Sequence, residues 1–259
     1  MSLANEWRTG VEERLAVGAF IRPEYLALLR DLQTLTHSFG ITLSPDQHAD
    51  AATLVFAIEC VDRWLDAIPH SSDRKRFSDA VMKRLEGASF DDRCLVPELA
   101  IRLSRLEGVL QVRRISIPSC GVIRELLANS EVMRRTRNTA RFVDGACREG
   151  CLMVELLLLL LRQIATPEFG RFMRRLSEPA NLADKLRDAR RDYAKGELAI
   201  RPGFFFHLWL AGAVIRRIFP LAVVSAHNPR LVAWGFRSLF TELILFRFSK
   251  SRAREPARQ

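Results

Sequence analysis

Residues Ala180 to Pro202 read ANLADKLRDARRDYAKGELAIRP and set Asp184, Asp188 and Asp192 four positions apart in a stretch of helical character. Four residues is slightly more than one helical turn, so the three side chains stand one above another on one face. Like charges at that spacing cost an isolated helix about 0.2–0.5 kcal/mol per pair. Two readings of the row are open. Lys185, Arg187, Arg190, Arg191 and Lys195 alternate with the acids, which is the pattern of a solvated face. The alternative is a row of oxygen ligands for a hard divalent cation such as Mg2+, which takes one or two carboxylates together with phosphate oxygens and water. That alternative requires a second acidic row on a facing helix.

Such a row lies upstream. Ser44 and Pro45 open a helix as N-cap and first helical residue, with Asp46 in the first turn, and the helix runs to near Pro69. It carries Asp62 and Asp66 four residues apart, with Glu59 three before the first, among Leu54, Val55, Phe56, Ile58, Val61 and Leu65. Apolar neighbours imply burial, and buried carboxylates need a partner. Glu59 and Arg63 are themselves four apart and suited to a local ion pair.

The remainder of the chain is helical in pattern. Leu26, Leu28, Leu29, Leu32 and Leu35 predict a helix over 23–36; further helices are expected over 71–87, 91–111, 119–138, 142–164 and 230–248. The β-branched, proline-bearing stretch VRRISIPSC (112–120) separates the helices expected over 91–111 and 119–138. Within FVDGACREGCLMVELLLLLLRQI (142–164), Gly145, Ala146 and Gly150 cost helix propensity, which points either to close helix packing or to a backbone kept clear of a bulky ligand. Phe204, Phe205, Phe206 and Trp209 form an aromatic cluster, in core or around a ligand, and His207 and His227 read as structural. With no strand-period alternation and no repeats, the expected fold is all-α: one domain over 1–259, a large bundle with inward acids, the ends 1–20 and 249–259 frayed.

Composition narrows the function. A formal charge of +10, mostly arginine, favours an anionic partner: nucleic acid, an acidic membrane or a phosphorylated small molecule. No zinc-finger spacing, RNP-like box or Walker loop is present, so nucleic acid is not expected. Five cysteines without a CxxC read as small core residues in a reducing cytoplasm, and MSLANEWRTGVEERL lacks the pattern of a signal peptide. The apolar runs 151–161 and 203–215 fall short of the roughly 20 residues of a spanning helix and are expected to be buried. A cytoplasmic location follows, with peripheral membrane contact through the basic tail RFSKSRAREPARQ.

Taken together, the two acidic rows resemble the motifs of the squalene and phytoene synthase group of class I isoprenoid synthases. VDRWLD (61–66) resembles the group's VDDxxD motif, and LRDARRDYAKGELAIRP (186–202) its LRDxxxDxxxGxxxxP motif, in the same order and at spacing within the family's range. ACREG (146–150) is similar to the intervening AGxVG, and Ser38 and Phe39 to an upstream Ser-Phe pair. The resemblance implies a helical bundle around a central active-site cavity and a prenyl diphosphate substrate. It implies Mg2+ held by Asp62 and Asp66 from one side and by Asp188 and Asp192 from the other. Asp184, where the family usually has asparagine, would join the ligands. Arg63, Arg141 or Arg187 would clamp diphosphate, and Phe56, Phe142, Ala146, Gly150, Phe205 and Trp209 would line the pocket.

Two departures bear on the chemistry. Arg63 replaces the first motif's second aspartate and Glu59 the arginine usual before it, so the charges look exchanged. The tyrosines of the head-to-head enzymes are missing, since the chain has only Tyr25 and Tyr193. The resemblance therefore implies a terpene synthase acting on one farnesyl or geranylgeranyl-type diphosphate. Its alternatives are head-to-head prenyl transfer and a non-catalytic relative that binds a lipid or a protein. Oligomeric state is not written in the sequence.

Overall fold

Capping chemistry begins the helix at Ser44 and Pro45 where the sequence placed it. In the computed structural model, which describes residues 23–88, 95–225 and 228–235, α1 spans Pro23–Ser38 and α2 Pro45–Ala67. The Ser44 hydroxyl accepts from the Gln47 N–H at 3.2 Å while the Gln47 side chain accepts from the Ser44 N–H at 2.9 Å, satisfying two otherwise orphaned donors. Then follow α3 (Ser71–Leu85), α4 (Pro97–Val112), α5 (Ser116–Arg135), α6 (Thr139–Leu160), α7 (Pro167–Ala194) and α8 (Phe204–Ser225), with a further helical stretch over 229–235. Asn138 caps α6 and Thr166 caps α7, each accepting a backbone N–H three residues on. No strand occurs among the described residues, and the fold is all-α.

Several boundaries differ from expectation, two of them with a physical reason. The break after α4 shrinks to a turn over 113–115, in which Arg114 takes the left-handed conformation (φ 55°) and buried Ile115 precedes α5. Pro118 falls in the first turn of α5, where its missing N–H costs little. The helix expected from Ala180 is the second half of α7, which begins at Pro167 and passes through Pro179. Just upstream the Ser177 hydroxyl donates to the Arg174 carbonyl at 2.8 Å. Of the helix expected over 230–248, the part beyond 235 lies outside the described residues, as do the basic tail, Cys94 and His227.

Two apolar cores organise the bundle. The larger joins α1 to α5 with the end of α6 and the start of α7, around Leu32, Trp64, Phe77, Leu103, Leu156 and Phe169. The smaller joins the start of α6, the end of α7 and α8, around Phe142, Ala146, Leu182, Ala189, Phe206 and Leu210. Helices α6 and α7 pack along each other and lend one end to each core. The free thiols of Cys60, Cys120 and Cys147 are buried, and burial pushes the pKa values of Cys60 and Cys147 up to about 11.

The burial expected of 203–215 holds for only one side. Helix α8 turns Phe206, Leu210 and Val214 into the smaller core and leaves Phe204, Phe205, Leu208, Trp209 and Ile215 exposed. Over Phe204–Val223 it is also long and apolar enough to span a membrane, at 20 residues and mean hydropathy 1.4.

Candidate functional site

The site is built where α6 crosses α7. Gly150 lies against the α7 backbone: a β-carbon there would stand 2.5 Å from the Ser177 carbonyl oxygen and 3.1 Å from Asn181 Cβ. Of the two reasons for the small residues of ACREG, close packing is the one this position displays. One turn along, the Asn181 amide donates to the Ala146 carbonyl at 2.7 Å and to Glu149 at 2.9 Å. Another turn on, Lys185 Nζ meets Glu149 at 2.9 Å. Asn181, Lys185, Asp188 and Asp192 therefore share one face of α7, set by the α6 crossing; Asp184 sits at its edge and is the most exposed of the row.

The other row enters from α2. Asp66 pairs with Arg134, which the last turn of α5 delivers, and both are largely buried. Burial alone would lower the guanidinium's pKa, but Asp66, Asp62 and Glu197 more than offset this and hold it above its usual value. Lys185 behaves alike: burial opposes its charge, while Glu149, Asp62 and Asp184 stabilise it and raise its pKa. One lysine of α7 thus senses a carboxylate of α2. The pKa of Asp192 is raised by burial first, then by Asp188 and Asp66, against the lowering effect of Arg191 and Lys185. That of Glu197 is raised by burial and by Asp66 and Asp192.

Glu197 reaches the cluster through a turn the sequence motif encodes. Gly196 takes φ 77°, ending α7, and the Glu197 N–H returns to the Asp192 carbonyl at 2.8 Å. The glycine of LRDARRDYAKG is there to stop the helix in a left-handed conformation, and the stop points the chain back toward Asp66.

The structure thus brings Asp62, Asp66, Asp184, Asp188 and Asp192 into one electrostatic cluster around Arg134 and Lys185. Arg187 pairs with Asp184 and lies 3.4 Å from Asp188; Arg191 reaches Asp188 at 2.8 Å and Asp192 at 3.4 Å. Among the described residues, no three His, Cys, Asp or Glu side chains form a group that could hold a metal ion by themselves. Arg187 stands beside the acids, ion-paired to Asp184.

Other expected site residues lie elsewhere. Arg63 turns toward α4, with Glu98 at 3.3 Å, buried Glu59 at 3.8 Å and Cys60 Sγ at 3.8 Å. This local ion-pair network takes up the exchanged charges of the first motif, and burial of the guanidinium is outweighed by Cys60, Glu59 and Glu98, which raise its pKa. Arg141 is exposed in the first turn of α6. Phe56 lies under Arg102 of α4, the guanidinium carbon 6.0 Å from the ring centroid. Phe205 and Trp209 cannot line an interior pocket: the register that buries Phe206 and Leu210 rotates them into solvent. Phe142 is buried in the smaller core, 5.7 Å from Phe206.

Five members of the cluster escaped the sequence reading as site residues: Arg134, Glu149, Asn181, Lys185 and Glu197. The only signal was that Asn181 and Lys185 precede Asp188 at helical spacing. Comparison with protein families, curated proteins and solved structures finds no match for the chain.

Proposed function

We propose that the two acidic rows bind the diphosphate of a prenyl diphosphate through Mg2+, and that the protein ionises this substrate, releases diphosphate and cyclises or rearranges the carbocation. The observation that carries the reading is that Asp66 on α2 is held by a buried ion pair with Arg134 of α5 while Lys185, on the α7 face of Asp188 and Asp192, is held by Glu149 of α6, so that acids and cations from four helices meet. The order of the two sequence motifs and the similarity to squalene and phytoene synthases support it.

The donor set suits the ion. Asp62, Asp66, Asp184, Asp188 and Asp192 offer only hard oxygen ligands, the donor type that Mg2+ takes together with phosphate oxygens and water. When bound, Mg2+ supplies Lewis-acid stabilisation of the charge on the departing oxygens. Arg134 and Lys185 are stationed to move from Asp66 and Glu149 to diphosphate oxygens, as charge-assisted donors. Arg187 adds a third donor.

A specific observation favours a second reading, binding without turnover. Arg63 stands where an acid is expected and is committed to Glu59 and Glu98, so the first row is one carboxylate short. Purified protein with Mg2+ and farnesyl or geranylgeranyl diphosphate separates the readings by diphosphate release and mass analysis of the extract. A single-chain hydrocarbon or alcohol is the expected product. A product of doubled carbon number identifies head-to-head transfer, and no release at any chain length refutes catalysis. Asp62→Asn and Asp188→Asn are each expected to abolish turnover while leaving the helical circular dichroism unchanged; full activity in either refutes the metal assignment.

A further inference from the structure

We propose that the outward face of α8 seats the protein on the surface of an anionic membrane. The face consists of Phe204 (75% exposed), Phe205 (81%), Leu208 (57%), Trp209 (58%), Ile215 (69%) and Phe219 (73%). At 100° per residue these positions fall within one side of the helix, opposite Phe206, Leu210 and Val214, which are buried against the smaller core. A contiguous apolar patch of this kind on a soluble surface marks a docking site.

Charge selects the occupant. From Leu198 to Thr241 the sequence has no aspartate or glutamate, and its charged residues are Arg201, Arg216, Arg217, Arg230 and Arg237. On α8 itself Arg217 is taken up by Glu178 of α7, whereas Arg216 is exposed on the same side as the apolar residues. An apolar helix face that carries an arginine and no acid of its own helix matches the interface of a bilayer with anionic headgroups, where apolar burial and electrostatic attraction add. A second copy fits poorly, since a symmetric contact over this face sets Arg216 near its own counterpart with no carboxylate of α8 to offset it. Spanning the bilayer fits no better. It would strip Phe206, Leu210 and Val214 from the core and break the 2.8 Å pair between Arg217 and Glu178 of α7. The helix therefore lies along the membrane with α7 behind it. This inference does not depend on the catalytic reading.

The test is co-sedimentation of the full-length protein with vesicles of phosphatidylcholine, with and without phosphatidylglycerol. Binding is expected to be at least about tenfold stronger with the anionic lipid and to weaken with salt. The triple variant Phe205→Ser, Trp209→Ser, Phe219→Ser changes only exposed side chains and is expected to keep its thermal midpoint while losing vesicle binding. Four results would overturn the proposal: no binding by the parent; binding unchanged in the variant; retention on the membrane after alkaline carbonate, which indicates a spanning helix; or a lipid-free dimer that the variant dissociates, with no vesicle binding.

Discussion

Replacing Gly150 by alanine tests the crossing on which the α7 carboxylates depend. Alanine gains about 1 kcal/mol of helix propensity over glycine. Against this, the new methyl would stand 2.5 Å from the Ser177 carbonyl oxygen and 3.0 Å from its carbon. A comfortable carbon–oxygen contact is about 3.3 Å, so α6 and α7 must part by roughly 0.8 Å. Both atoms are backbone and cannot rotate away, which puts the overpacking cost in the upper part of the usual range, about 2–3 kcal/mol. The net expectation is a loss of about 1–2 kcal/mol, read as a lower urea midpoint at unchanged m-value. Two other glycines serve as internal controls. At Gly170 a β-carbon would find Arg174 Nη1 at 3.5 Å and Leu158 Cδ1 at 3.9 Å, ordinary contacts, so Gly170→Ala should stabilise by up to about 1 kcal/mol. At Gly145 the obstacle is the flexible side chain of Met133, with Cγ at 2.5 Å, so the effect of alanine should fall between the two. Gly150→Ala as stable as the parent, or Gly170→Ala equally damaging, would refute the packing argument.

Three further outcomes are expected. Arg134→Gln leaves Asp66 in a largely buried setting without its guanidinium and should lower stability by about 2–3 kcal/mol; adding Asp66→Asn should recover part of that loss in a denaturation cycle. Asp192 and Glu197 titrate above their ordinary values, so at pH values between those and the raised ones the native state holds more protons than the unfolded chain. Stability contributed by these two groups therefore falls as pH rises through that window, and Asp192→Asn should flatten the fall in a series of thermal melts. Addition of Mg2+ at neutral pH should raise the melting temperature, by linkage to the folded state, and Asp188→Asn should remove the rise.

Local chemistry made the first helices legible. Ser44 with Pro45 and Asp46 states the start of α2 within three residues, and Leu29, Leu32 and Leu35 state the buried side of α1, whereas Leu28 of the same pattern is exposed. The half of α7 before Ala180 was not read, although Thr166 and Pro167 open it with the same chemistry as Ser44 and Pro45; the helix runs on through Pro179, with Phe169 and Phe172 packed in the larger core. The acidic rows were legible because four-residue spacing is itself geometry. Arg134 was not, because its partner Asp66 lies 68 positions away and its neighbour Arg135 belongs to the same basic run, yet pairs with Glu131 on the same helix. Arg63 and Glu59 were legible as a local pair; Glu98, which draws Arg63 to α4, was not. For α8 the obstacle was different: both sides of the helix are apolar, so periodicity could not tell the buried Phe206 from the exposed Phe205.

The placement of the ionic cluster beside two separate cores bears on why it persists. Had α6 and α7 served only to join the cores, apolar side chains at Asn181, Lys185, Asp188 and Asp192 would continue the packing of Leu182 and Ala189 without desolvating charge. Instead that face carries an amide and three charges, with Glu149 opposite and Asp66 and Glu197 close by. Arg134 and Lys185 keep their charge only through surrounding acids, and Asp192 and Glu197 keep theirs against burial and against one another. A fold gains little stability from charges held in this way, whereas a site that must take up a cation and a polyanion needs both signs, preplaced and poorly satisfied. The cost borne by Asp192 and Glu197 is thus the physical counterpart of the function proposed for the cluster, and a bound divalent cation would reverse its sign.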